Sequence, residues 1–270
     1  MSDKNRNLIV RVVTVLVLLP GVLWLIWRGG IPFALLISGA TALGALELNL
    51  LPKPQLTGAA VVSVAGAFLV PLLHEISLGW VSASAVLSAV VILACADALA
   101  FEEEIANAPR RVALAVLGAA YPGILLAALL PLRQIPRGEW WVVLTLTVTW
   151  LNDSCAYFAG RAFGRHKLYE RISPSKTWEG ALGGTVGSIA GALVVAAIWI
   201  PGLPLWGAAL IGVGAAVLGP VGDLSESMLK RAYGAKDSGR LLPGHGGLLD
   251  RIDALLFNAP FVLLCARLLT

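Results

Sequence analysis

Apolar residues run along this chain in long unbroken blocks, without the strict alternation of a half-buried strand or the single stripe of a surface helix. Each block closes on a short polar punctuation such as Arg28-Gly29-Gly30, Pro52-Lys53-Pro54, Pro136-Arg137-Gly138 or Pro201-Gly202-Leu203-Pro204. A helix that crosses a bilayer needs roughly 20 mainly apolar residues. Nine blocks meet that length, at about 8–27, 31–51, 56–73, 78–100, 112–132, 140–159, 180–200, 205–224 and 252–269. The first is too long for a signal peptide and lacks a small-residue cleavage site, so it reads as a retained anchor. The expectation is an all-α polytopic membrane protein with about nine transmembrane helices.

Composition sharpens this. Hydrophobic residues make up 58% of the 270 and charged residues 13%, with a mean hydropathy of +0.83. A soluble domain is about one quarter charged, so lipid has to be part of the solvent. When the nine spans are laid out alternately, sixteen of the 20 Lys and Arg fall on one side and four (Arg28, Arg133, Arg137, Arg267) on the other. The positive-inside rule then places the N-terminus in the cytoplasm and the C-terminus outside; the expected location is the inner (cytoplasmic) membrane. Trp24, Trp27, Trp80, Trp140, Trp141, Trp199 and Trp206 fall near span ends, as an interfacial belt requires. The layout suggests helices 1–4 (1–110), a middle part with a basic loop (111–178) and a C-terminal catalytic part (179–270). Cys95, Cys155 and Cys265 have no partner at metal-ligand spacing and read as small apolar residues. Gly183, Gly187 and Gly191 are spaced for close helix contact.

Against this apolar background the polar residues concentrate late in the chain. Residues 223–253 hold five of the 16 carboxylates and five of the 20 Lys and Arg, around the turn His245-Gly246-Gly247. Glycine-rich backbone, cations and clustered carboxylates are the parts that hold phosphates and a divalent metal. If helical, Asp223 and Glu226 share a face, as do Asp250 and Asp253, and the two pairs could converge on one ion. That inventory suits magnesium; zinc does not fit, since His245 has no Cys or second His near it. Asp153, beside Asn152 within the sixth span, is a functional candidate because ionisable residues inside a span are expensive. Glu47 and Asp97 sit near the cytoplasmic edge, where helix ends facing headgroups explain them more simply. In the loop after the sixth span, Ser173, Ser175, Lys176 and Thr177 surround a proline turn before a helix start, a setting that suits a phosphate or anionic lipid.

The string S-x-L-K-R-x4-K-D-x-G-x2-L-P-x-H-G-G-L-x-D-R-I-D, from Ser227 to Asp253, resembles the signature of phosphatidate cytidylyltransferases (CDP-diacylglycerol synthases). Asp153 to Tyr157, continuing to Gly160-Arg161, and Ser-Pro-Ser-Lys-Thr-Trp-Glu-Gly at Ser173 to Gly180 are similar to two further stretches of that family. The chain departs from the pattern at Ser154-Cys155, where Thr-Gly is expected, and at Ser175, where a second lysine is common.

The resemblance implies the reaction CTP + phosphatidate → CDP-diacylglycerol + pyrophosphate at the cytoplasmic face of the bilayer. It also implies magnesium, with potassium as a monovalent companion, and a homodimer. No nucleic-acid partner is expected. On this reading Asp223 and Asp250 are first-choice metal ligands, with Glu226, Asp237 and Asp253 as further ligands or orienters. Lys230, Arg231, Lys236 and Arg251 would neutralise phosphates, Gly246 and Gly247 would offer backbone N–H groups, and His245 would donate to a phosphate oxygen. Ser173, Lys176, Thr177, Ser227 and Asp153 complete the substrate-binding set. The competing reading is a secondary transporter of an anionic substrate, built on Asp153 and the glycine-rich helices.

Overall fold

The structure, a computed structural model, describes residues 18–52, 55–102, 104–239 and 246–270, with the side chains of 77–82 excepted. Its helices are α1 (Leu18–Arg28), α2 (Gly30–Leu50), α3 (Gly58–Leu73), α4 (Gly79–Phe101), α5 (Ala108–Ala127), α6 (Leu129–Gln134), α7 (Gly138–Phe163), α8 (Trp178–Trp199), α9 (Leu205–Ala232) and α10 (Leu249–Leu269). The expected spans map onto these elements, with α5 and the short α6 together filling the fifth. Residues 8–17 of the first span lie outside the described residues.

Among the described residues, seven helical stretches are long and apolar enough to cross a membrane, which makes the chain a polytopic membrane protein. Two of the nine expected spans are not among these seven. Only part of the first span is described. α7 has the length but not the hydropathy, because Thr145, Thr147, Thr149, Asn152 and Asp153 interrupt its apolar run. The exposed residues Leu99, Leu182, Val186, Ile198 and Val217 are large and apolar, which lipid tolerates and water does not.

The chain divides into two units. The first comprises residues 1–130 and 235–251, the second residues 131–234 and 252–270. In the first, α2, α3, α4 and α5 pack on one another around Val70, Val86, Val90, Ala119 and Ala127. Asp97 of α4 takes Nε of Arg111 at 2.8 Å and Nη2 at 2.7 Å, so it ties α4 to α5 where the sequence reading had it facing headgroups.

In the second unit α8 lies along α7 and α9 lies along α8. The glycine stripe of α8 is what permits this. A Cβ at Gly183 would collide with Ala159, at Gly184 with Asn152, at Gly187 with Cys155 and at Gly191 with Leu151. Small-residue seams of this kind let helix backbones approach in lipid. Between α7 and its neighbours runs a buried polar seam: Asn258 Nδ2 donates to Thr149 Oγ1 at 2.9 Å, and Ser188 Oγ to the Val148 carbonyl at 3.1 Å. At the far end of α7, Trp140 stacks on Trp199 with ring centroids 4.5 Å apart.

The loop between α7 and α8 is not wholly irregular. β1 (Lys167–Tyr169) and β2 (Ser173–Thr177) form a short antiparallel hairpin that the sequence reading did not anticipate, within an otherwise helical chain as expected. Glu179 in the first turn of α8 latches it, accepting from Arg165 N at 3.1 Å and lying 2.6 Å from His166 Nδ1.

Candidate active site

The hairpin delivers its residues to a cavity of about 370 Å³ within the second unit. The wall combines Asp153, Tyr157 and Arg161 from α7, Ser175, Lys176 and Thr177 from β2, and Asp223 from α9. Each has a local reason for its position. Asp153 and Asn152 are neighbours on α7 and so point about 100° apart. Asn152 turns inward and donates to the Ala215 carbonyl of α9 at 3.4 Å, which leaves Asp153 on the exposed, cavity side. Thr177 is the N-cap of α8, its hydroxyl accepting from Gly180 N at 3.1 Å. That cap fixes the point where β2 becomes helix and sets Lys176 one residue before it.

Lys176 and Asp223 form the centre of the cavity. Lys176 Nζ lies 2.5 Å from Asp223 Oδ2, with both side chains partly solvated. Ser227, one turn further along α9, donates to Asp223 Oδ1 at 3.3 Å. Asp253 lies within electrostatic reach of both Asp223 and Asp153. Among the described residues no three acidic, His or Cys side chains stand at chelating distance as they are. The donors nevertheless suit magnesium, which takes one or two carboxylates and fills its shell with water and substrate phosphates. A cation and hydroxyls beside a pair of carboxylates make a place where anionic oxygens and a hard metal ion can sit together.

Not every candidate lies on this wall. Glu226, one turn on from Asp223, is 1% exposed and forms an i,i+4 ion pair with Lys230, itself 8% exposed. Glu226 and Lys230 thus pair on the buried side of the last turns of α9, and Lys230 also acts electrostatically on Asp253. Arg231 is exposed in the last turn of that helix, and Ser173 is half-buried at the start of β2.

The remaining signature residues belong to the first unit. Lys236, Asp237 and Arg251 are exposed. Asp250 Oδ2 accepts from Ser238 N at 3.0 Å and from Gly247 N at 2.9 Å. The Gly247 N–H offered to phosphate by the sequence reading is therefore already taken by protein. Gly246 adopts φ 81, the left-handed region that favours glycine. His245 lies outside the described residues.

Sequence reasoning missed three participants. Arg161 and Tyr157 line the cavity and share a hydrogen bond of 3.2 Å; both lie in the family-like stretch that begins at Asp153, which was the available signal, but neither was given a role. Glu47, assigned to headgroups, instead accepts hydrogen bonds from the signature segment.

A sequence model of the cytidylyltransferase family matches residues 9–269. The chain belongs to the cytidylyltransferase family. Among members of that family, it is 37% identical to the phosphatidate cytidylyltransferase of Brucella suis biovar 1 (strain 1330), over 96% of this chain and 93% of that one. It is 34% identical to the phosphatidate cytidylyltransferase of Bacillus subtilis (strain 168), over 97% of each chain. A shorter match, 41% identical over 56% of this chain, joins it to the phosphatidate cytidylyltransferase of Staphylococcus saprophyticus. A cytidylyltransferase is a nucleotidyltransferase enzyme, and the cavity described above has the cations and carboxylates such chemistry uses.

Proposed function

We propose that this chain transfers the cytidylyl group of CTP to phosphatidate, releasing pyrophosphate and leaving CDP-diacylglycerol for phospholipid synthesis. The observation that carries this reading is the cavity in which Lys176, Arg161 and Thr177 meet Asp153 and Asp223. A phosphate monoester has a second pKa near 6, so at neutral pH its oxygen is nucleophilic without a strong general base. That oxygen forms a bond to the α-phosphorus of CTP. The bond from the α-phosphorus to the bridging oxygen breaks, and pyrophosphate leaves with the electron pair. The barrier is electrostatic, since one anion must approach another, and positioned charge is what lowers it.

In the second unit, Lys176 and Arg161 hold phosphate oxygens, while the hydroxyls of Ser175 and Thr177 orient them. Asp223 and Asp253, with Asp153, would hold magnesium, which when bound neutralises phosphate charge. Asp223 also keeps Lys176 in place in the absence of substrate. In the first unit, Lys236, Asp237 and Arg251 are the solvent-facing charges of the signature segment, available to nucleotide or lipid phosphate. The bias of Lys and Arg supports nine spans with these elements at the cytoplasmic face, where CTP is found. A monovalent ion and a homodimeric assembly belong to the same proposal and rest on the family resemblance.

The test is Asp223→Asn in purified protein. It removes a charge while keeping shape, and is expected to lower turnover at least about 10²-fold in a protein that still inserts and folds. Near-native turnover would remove Asp223 from the site.

A further inference from the structure

Glu47 lies in the last turn of α2, far in sequence from the family-like stretches quoted above, and is 6% exposed. A carboxylate buried in a membrane helix is costly unless hydrogen bonds compensate it. Among the described residues three donors do so. Leu248 N donates to Oε1 at 2.9 Å, Leu249 N to Oε2 at 2.8 Å, and Ser238 Oγ to Oε2 at 3.1 Å. All three come from the signature segment, and two are backbone N–H groups at the amino end of α10, which have no partner inside the helix.

The glycines around it fit the same purpose. A Cβ at Gly239 would sit 2.5 Å from Glu47 Oε1, and one at Gly247 would sit 2.6 Å from Oε2. Both glycines thus let the segment close onto the carboxylate. Asp250 completes the arrangement from within, accepting Ser238 N and Gly247 N. The described parts of the segment, 235–239 and 246–251, are pinned by two carboxylates, one of them from α2.

We propose that Glu47 is a positioning residue of the transfer reaction, holding the signature segment in its working conformation without touching substrate. The inference rests on the reaction proposed above. Only a carboxylate serves this geometry. In Glu47→Gln one oxygen becomes an NH2, and whichever it is, that NH2 faces a backbone N–H. Glu47→Asp keeps two acceptors one methylene shorter.

The experiment compares full-length wild type, Glu47→Gln, Glu47→Asp and Ser238→Ala in lipid–detergent micelles. Two readouts are taken: steady-state pyrophosphate release at varied CTP, and hydrogen exchange along the backbone. Glu47→Gln is expected to lower kcat/KM for CTP about 10²-fold, the loss that a misplacement of about 1 Å brings. Glu47→Asp should recover part of this, and Ser238→Ala should lose least. Exchange at Ser238, Leu248 and Leu249 should rise in Glu47→Gln, with α7 and α8 unchanged. Wild-type kinetics in Glu47→Gln would overturn the proposal, as would faster exchange spread through α7 and α8, which marks general support of the fold. Wild-type protein that forms no CDP-diacylglycerol would refute the reaction instead, and the exchange readout would still decide the clamp.

Discussion

Replacing Lys176 by methionine keeps the length and apolar stem of the side chain and deletes its charge. The proposed site predicts two effects of opposite sign. First, a phosphate oxygen loses a charge-assisted hydrogen bond worth about 1.5–3 kcal/mol. At about 1.4 kcal/mol per decade, kcat/KM for CTP should fall about 10- to 150-fold. Second, Asp223 loses the cation 2.5 Å from Oδ2 that a metal ion has to displace. Both side chains are partly solvated, at 23% and 32% exposure, so the pair is worth only about 0.2–1 kcal/mol. The magnesium concentration for half-maximal rate should therefore fall, by about 1.4- to 5-fold. Both constants come from one assay, pyrophosphate release with CTP and magnesium varied in turn, on protein whose melting temperature is checked first. A general defect would worsen both constants together, and that result would refute the geometry. Unchanged CTP kinetics would remove Lys176 from the site.

Two further predictions concern the scaffold. Gly184→Ala puts a methyl group against Asn152, so it should cost about 1–3 kcal/mol, read as a lower melting temperature in detergent. Gly39→Ala makes the same change in α2 where nothing lies within 4 Å, and should leave the melting temperature level or raised; equal losses in the two would contradict the seam. Thr177→Val should cost about 1 kcal/mol through loss of the α8 cap, with Thr177→Ser close to wild type; exchange at Gly180 N reads the cap directly, and no change there would dismiss it.

The spans were legible because lipid demands long apolar runs, and such runs are visible one residue at a time. α7 was legible as a helix, yet its function shows in what spoils its hydropathy. Thr149 and Asn152 face its neighbours, and Asp153 faces the cavity. The hairpin escaped notice because strands of three and five residues around Pro174 carry too little periodicity to outweigh the reading of a proline turn. Lys176 was named from its motif and Asp223 from its spacing to Glu226, but their meeting depends on how α8 and α9 pack, which no spacing reveals. Glu226 and Lys230 were named by residue type, and only the fold shows that they also pair with each other on the buried side of α9. Glu47 was the hardest to read, since its partners lie 191 to 202 residues away. An edge carboxylate and a loop anchor are alike until the chain is folded.

The central claim is tested most directly by purified protein given CTP, phosphatidate and magnesium, with each omitted in turn. Pyrophosphate and CDP-diacylglycerol should appear in equal amounts, and only when all three are present. Folded protein that releases no pyrophosphate from the complete mixture, or releases it without phosphatidate, would contradict the account.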